Sequence, residues 1–314
     1  MHRLAGQDAY FLYQETPSAL MHTLKISVCK PAASQPTEAD FRELVRRSMG
    51  CLPVFQYRVV PVPLGLHHPV VVNDGGFDYD MHVHRIAVPA PGARAQLDQV
   101  IGEIAAGLLE RSRPLWEIWI VEGLEGGRIA YVNKMHHVLA DGVAAVNYLG
   151  KTLYRDPTDI GKVELPVFER EEQPSAQRLV RDALRDLLRD FLRLPRLLQD
   201  SARRRKLIDA RNRAARLVPA EPYSPDIPKL RFNRALSNLR NYATAQYSLA
   251  DFRTIKNRLG GTVNDVMLGM LAGGLRRYLQ TNAELPGRPL VCAIPVSAEQ
   301  EAAATRTSGN NVAY

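Results

Sequence analysis

The feature that most constrains this chain is a pair of strand-like runs joined by a short glycine-rich turn. Arg113-Pro-Leu-Trp-Glu-Ile-Trp-Ile-Val-Glu reads as one strand, Gly123-Leu-Glu-Gly-Gly as the hairpin turn, and Arg128-Ile-Ala-Tyr-Val-Asn-Lys-Met as the antiparallel return. The return run delivers His136 and His137, and Asp141-Gly142 then opens a helix carrying Val143, Ala144, Val146 and Leu149. The spacing therefore predicts a strand-to-helix connection bearing two imidazoles, a place where polar groups can be aimed into a cleft.

The rest of the chain can be laid out around that hairpin. Leu24 to Val28 alternates as a half-buried strand does, and Phe41, Leu44, Val45 and Met49 share one face of a helix that Pro53 closes. Gln56 to Val62 reads as a strand, partnered by Pro69 to Asn73 with Asp74-Gly75-Gly76 as the turn signal. Phe77 to Val88 leads through Pro89 and Pro91-Gly92 into a helix over about 95–110. From about Tyr154 to Leu230 the character changes: prolines and charges dominate to Pro174, and a basic amphipathic stretch follows. There Leu179, Val180, Leu184, Leu187, Leu188, Phe191 and Leu192 oppose Arg181, Arg185 and Arg189. Pro195 is expected to kink or end this helix, with a second basic helix running to about Arg216. Beyond it come a strand over Ala243 to Leu249 and a helix over Ala250 to Leu259 closed by Gly260-Gly261. A T-x-x-D capping box at Thr262 then starts a helix over Val266 to Leu279, and Leu290 to Ser297 forms a last strand.

Composition narrows the class. At 314 residues there is length for two domains or one large one, in the proportions of a soluble globular protein. Met1-His-Arg-Leu-Ala-Gly-Gln-Asp has no apolar core of a signal peptide, and no apolar run approaches the ~20 residues of a membrane span. Of the three cysteines, Cys29, Cys51 and Cys292, the first and last sit in apolar runs and read as core thiols in a reducing, cytosolic setting. The net charge of +8 is concentrated between Ala176 and Arg216, where 13 Arg and Lys face 5 acids. A basic surface confined to one helical segment fits anionic lipid at least as well as nucleic acid.

His137 and Asp141 carry the chemistry. A neutral imidazole can take a proton from a hydroxyl, and a carboxylate four residues on can hold the ring or an adjacent arginine. Gly142 lets a substrate chain pass close to the backbone. The plainer alternative is a satisfied core histidine beside a helix N-cap aspartate. His136, His137 and Asp141 could also ligate a metal, though no further cluster supports it and His67-His68 reads as a turn before Pro69. There is no G-x-S-x-G elbow and no phosphate-binding G-x-x-x-x-G-K-[ST]. Asn264, in the first turn of its capped helix, could stabilise an oxyanion or simply serve local hydrogen bonds. Trp116 is most simply a core aromatic, with substrate contact the lesser alternative.

Taken in order, these residues resemble a known family. His136-His137-Val-Leu-Ala-Asp141-Gly142 matches the HHxxxDG signature of the coenzyme A-dependent acyltransferases, which include chloramphenicol acetyltransferase and peptide-synthetase condensation domains. Pro114-Leu115-Trp116 resembles the PLW motif, and Thr262-Val-Asn264-Asp265-Val the ND motif, of the bacterial wax ester synthase/diacylglycerol acyltransferases. Phe77-Asp78 with His82-Val83, Arg231-Phe232-Asn233, and Pro295-Val296-Ser297 ahead of Gly309-Asn310 are similar too.

The resemblance implies an α/β fold of two chloramphenicol-acetyltransferase-like sandwich domains with the active site in a tunnel between them. The first domain would cover 1–153, a basic helical crossover 154–230, and the first part of the second domain 231–314. It implies transfer of a long acyl chain from acyl-CoA, a co-substrate rather than a cofactor, to diacylglycerol or a fatty alcohol. His137 would be the base, His136 its neighbour, Asp141 the holder of the loop and Gly142 the opening of the channel. Asn264 would help hold the oxyanion, with Trp116 and Asp265 near the substrate, and no metal is expected.

Family members continue beyond the position matching Tyr314, so the second domain is expected to be incomplete and a companion chain or segment to supply the rest. The expected setting is cytoplasmic, peripheral on a membrane or lipid droplet, without nucleic acid. The rivals are a condensation-type or polyketide-associated acyltransferase, and a non-catalytic lipid-binding homologue.

Overall fold

The computed structural model describes residues 1–30, 37–50, 52–75, 78–140, 144–145, 147, 168–214, 228–294, 296–297, 308 and 312–313. Two compact units are distinguished. One comprises Met1–Pro219, Ser237–Tyr242 and Pro295–Tyr314; the other comprises Ala220–Leu236 and Ala243–Ile294.

The first unit is built on two sheets. Its larger sheet has the order β2 (His22–Cys29), β7 (Arg128–His136), β6 (Trp116–Leu124), β5 (Val83–Ala87). The expected hairpin is present, with β6 and β7 antiparallel and β2 antiparallel to β7. A register shift between Val121 and Leu124 lies where Gly123 adopts a φ of 80°, a conformation that only glycine reaches without strain. β5 runs parallel to β6, and the chain between them forms helix α3 (Arg94–Ala106).

Strand alternation places two sets of side chains on opposite faces. Trp116, Ile118 and Met135 pack with Phe55 and with Val45 and Met49 of helix α2 (Glu38–Gly50). Val121, Ala130 and Val132 pack with Val100, Ile101 and Ile104 of α3. Each aliphatic side chain so buried contributes about 1.5–3 kcal/mol, which fixes the strand register and with it the position of the residues that end β7.

The smaller sheet has the order β1 (His2–Arg3), β4 (Val70–Asn73), β3 (Tyr57–Val60), all antiparallel. Val71 joins the Trp116 cluster, while Val70, Val72 and Val60 pack on Leu179 of helix α4 (Ala176–Ala214). Arg3 pairs with Asp186 at 2.7 Å on the same face of α4.

The second unit contains helices α5 (Leu249–Leu259) and α6 (Val263–Thr281), both with the expected caps. Ser248 accepts from the Asp251 amide at 3.4 Å, and Gly260 ends α5 at a φ of 71°. Thr262 and Asp265 form the reciprocal capping box, which starts α6 three residues before the expected Val266. Arg231 makes a bidentate pair with Glu284 and reaches Asn282 at 2.8 Å, pinning its own segment to the end of α6.

Several expectations are corrected. The turn between β3 and β4 is the segment from Pro61 to Pro69, where Leu64 and Gly65 have positive φ; Asp74 and Gly75 follow β4 instead. Helix α3 stops at Ala106, short of Glu110. Pro195 does not end α4, which continues to Ala214 as one helix. Every residue from Leu187 to Ala214 is exposed, so water can satisfy the carbonyl that proline leaves without a donor.

Cys29 and Cys292 are exposed rather than core thiols: Cys29 ends the edge strand β2, and Cys292 lies in an unpaired extended segment. Residues 243–248 and 290–294 lie outside any strand among the described residues, Leu249 begins α5, and Val296–Ser297 pairs with Val312–Ala313. Cys51, Phe77, Val143, Val146, Leu149, Gly309 and Asn310 lie outside the described residues, as do 215–227 and the segment from Tyr154 to Val167.

Candidate active site

The hydrogen-bonded ends of three strands set the histidine pair. The His136 amide donates to Leu115 O at 3.0 Å, so the Pro114-Leu115-Trp116 run is tied directly to the end of β7. The His137 amide donates to Met21 O at 2.8 Å just before β2, and the Leu139 amide turns back onto His136 O at 3.1 Å. The chain thus leaves the sheet immediately after His136, and the two imidazoles stand at its rim.

His136 is 0% exposed. Its Nδ1 accepts from the Val138 amide at 3.0 Å, so a neutral ring carries its proton on Nε2. That nitrogen lies 3.3 Å from Glu15 Oε1, within ion-pair range though not aligned as a hydrogen bond. Glu15 follows helix α1 (Gly6–Gln14). Its Oε2 accepts from Arg111 at 2.9 Å and its Oε1 from the Met21 amide at 3.3 Å. Burial alone would raise the Glu15 carboxyl; His136, Arg111 and the Met21 amide outweigh it and hold the group at about 2.

His137 is half-buried, and its ring stacks on Phe11 of α1 with centroids 4.1 Å apart and planes 14° from parallel. Stacking on Phe11 covers one face of the ring and sets its plane.

Beneath the pair lies a set of buried charges. Lys134 and His136 share a face of β7, opposite Glu117 of β6 and His22 of β2. Lys134 Nζ is 3.4 Å from Glu117 Oε2, which also accepts from Trp119 Nε1 at 3.1 Å. Burial pushes the Lys134 ammonium down, with Glu117 opposing. His22 bonds Ala105 O at 3.0 Å and is pushed down to about 4, by burial first and then by the charge on Lys134. His22 is therefore neutral at pH 7. A cleft of about 570 Å³, lined by Glu15, Pro17, Leu109, Arg111 and Glu117 among others, reaches this cluster from the surface.

Trp116 is 0% exposed, donates from Nε1 to Phe55 O at 2.7 Å and stacks on His82 at 4.3 Å. His82 Nδ1 in turn bonds Trp116 O at 2.7 Å. No face of the indole is open to a ligand, so in this structure it is a core group rather than a substrate contact. Asn264 and Asp265 belong to the second unit. Asn264 is exposed in the first turn of α6, and Asp265 Oδ2 accepts from the Thr262 amide and hydroxyl at 2.7 and 2.8 Å. Asp141 and Gly142 lie outside the described residues, whereas Ala144 and Ala145, just beyond them, are buried in the Trp116 cluster. Among the described residues, no three His, Cys, Asp or Glu side chains are placed to hold a metal.

The family model described as the wax ester synthase/diacylglycerol acyltransferase catalytic domain matches residues 4–267. The chain belongs to that family. A Mycobacterium tuberculosis relative that carries the assigned name diacylglycerol O-acyltransferase is 38% identical over 302 residues, covering 95% of this chain and 63% of its own length. A second from the same organism, named likewise, is 36% identical over 315 residues, with 99% and 65% covered. Among solved structures, the wax ester synthase/diacylglycerol acyltransferase of Marinobacter aquaeolei VT8 matches with a TM-score of 0.61 at 26% identity, over 91% of this chain and 63% of that one. The chain therefore shares the α/β fold of the family and spans about 63% of the length of these relatives.

Sequence reasoning missed Phe11, Glu15 and Arg111. Phe11 and Glu15 are four residues apart at the end of a short helix, so they share a face. That spacing is visible in the sequence; the strand ends they meet are not.

Proposed function

We propose that this chain carries the active site of an O-acyltransferase that moves a long acyl group from acyl-CoA to the hydroxyl of diacylglycerol or of a fatty alcohol. The observation that carries the reading is the His137 imidazole, stacked on Phe11 at the rim of the sheet where the His137 amide bonds the Met21 carbonyl, in a family whose named members are acyltransferases. In the proposed reaction His137 takes the hydroxyl proton as the acceptor oxygen bonds to the thioester carbon. The tetrahedral intermediate then breaks its carbon–sulfur bond, and the coenzyme A thiolate recovers the proton from the imidazolium. No acyl-enzyme and no cofactor enter; acyl-CoA is the co-substrate. Asp141 holds the loop, Gly142 keeps the channel open, and the Asn264 amide with the N-terminus of α6 stabilises the oxyanion.

The same reading divides the chain into an acyltransferase domain over 1–153, a basic helical crossover over 154–230, and the start of a second, incomplete sandwich domain over 231–314. Helix α4 rests on anionic lipid at the cytoplasmic face of a membrane or on a lipid droplet. Supporting this are exposed Leu187, Leu188, Phe191, Leu192, Leu197 and Leu198 among its arginines. No helix among the described residues is long and apolar enough to cross a membrane.

Labelled acyl-CoA offered with diacylglycerol, with hexadecanol and with no acceptor tests the reaction. The reading predicts labelled ester that requires an acceptor. Thioester hydrolysis alone, at the same rate in all three, would sink it.

A further inference from the structure

We propose that Glu15 is the positioning residue of the histidine pair, an inference that rests on the acyltransferase reading for its functional consequence but not for its structural one. Its side chain is 3% exposed, and both carboxylate oxygens are committed. Oε2 accepts from Arg111, whose Nη2 also donates to Leu12 O at 3.1 Å and so ties the carboxylate to the end of α1. Oε1 faces the protonated edge of His136 and accepts from the Met21 amide. The carbonyl of that same Met21 holds the His137 amide. One carboxylate therefore grips His136 through its ring and His137 through one intervening residue of backbone.

An anchor for Arg111 alone does not account for this arrangement. A pair with the half-exposed Arg111 guanidinium would serve equally well at the surface, where it would avoid the desolvation of a buried carboxylate. What burial adds is direction. With Nδ1 of His136 receiving the Val138 amide, the carboxylate faces the only tautomer that the backbone allows. Phe11, one turn earlier on α1, sets the plane of the His137 ring. The Val138 amide thus sets the tautomer of His136, while the end of α1 places a carboxylate against its protonated edge and sets the tilt of His137. Among the described residues, Glu117 is another acid near the pair, and it is already engaged by Lys134 and Trp119.

The test reads the rings directly. In a chain with ¹⁵N-labelled histidine, long-range ¹H–¹⁵N spectra should show His136 as the Nε2-protonated tautomer. In Glu15→Gln, which keeps the shape and removes the charge, the ring signals of His136 and His137 should both shift or broaden. Those of His2 and His84 should stay in place, and the melting temperature should fall by less than about 4 °C. Unmoved His136 and His137 signals in the folded variant overturn the proposal. Should Glu15→Gln fail to fold, Arg111→Gln, which frees only Oε2, must move the same two signals; unmoved signals there overturn it as well.

In acyl transfer, Glu15→Gln should lower kcat about 10- to 100-fold with little change in KM, and Glu15→Asp should restore part of the loss. Wild-type kcat in Glu15→Gln also counts against the proposal. Absence of transfer in the unmodified enzyme would instead sink the acyltransferase reading, and the ring spectra would still decide the role of Glu15.

Discussion

The two units of this molecule solve the same folding problem with different resources. In the first, sheets are covered on both faces, and Trp116, Phe55, Ile120 and Val132 are sealed at 0% exposure. In the second, Leu230, Phe252 and Leu279 are the buried apolar residues among those described, while Met267, Met270 and Leu271 of α6 stay exposed. The second unit is specified instead by local chemistry: the Ser248 cap, the Gly260 stop and the Thr262–Asp265 box. A cleft of about 460 Å³ remains between α5 and α6, lined by Phe252, Ile255, Leu259 and Met270 among others. The contrast teaches where function can be held. Long-range burial fixes the first unit well enough to position imidazoles to a fraction of an ångström, and caps alone fix helices but not a packed site.

Substitutions should separate the two regimes. Trp116→Ala removes the largest sealed side chain among the described residues and its bond to Phe55 O, so it should cost about 3–5 kcal/mol in denaturant unfolding. A loss near 1 kcal/mol would mean the sheet core is softer than described.

Acid should act next, and on the first unit. His22 is held at about 4 against an ordinary 6.5, so between those values the unfolded chain binds the proton that the folded one refuses. Its contribution is fully present above pH 6.5 and is lost as pH falls towards 4. Glu15, at about 2 against 4.5, adds stability above pH 4.5 that is lost below it. Unfolding midpoints measured from pH 7 to 4 should fall in the wild type and flatten in His22→Gln; parallel curves would contradict the assignment.

Thr262→Ala should cost about 1 kcal/mol, the worth of a cap, in the second unit. Met267→Gln, on the open face of α6, should stay within about 0.5 kcal/mol. A large loss at Met267 would show that this face is covered and erase the contrast.

The same contrast explains what could be read from the sequence. The β6–β7 hairpin, α2, α5 and α6 were legible because periodicity, glycine turns and capping residues act over a few neighbours. At 243–248 and 290–294 the expected strands are not formed, since apolar alternation states a preference that tertiary context must realise. Cys29 misled for a related reason: an apolar run does not reveal that its strand lies at a sheet edge. At the site, the HHxxxDG stretch named His136 and His137, but Glu15, Phe11 and Arg111 lie far from the pair in sequence and meet it through contacts that no local spacing encodes. Trp116 was legible as a core aromatic, and its bond to Phe55 shows why tryptophan suits the position.

The central claim is that His137 is the general base, and its removal is the most direct test. In the acyl-CoA assay with diacylglycerol or hexadecanol, His137→Ala should lower the transfer rate about 10²–10⁴-fold. The variant should keep the wild-type unfolding midpoint. Near-normal turnover in that folded variant would contradict the account.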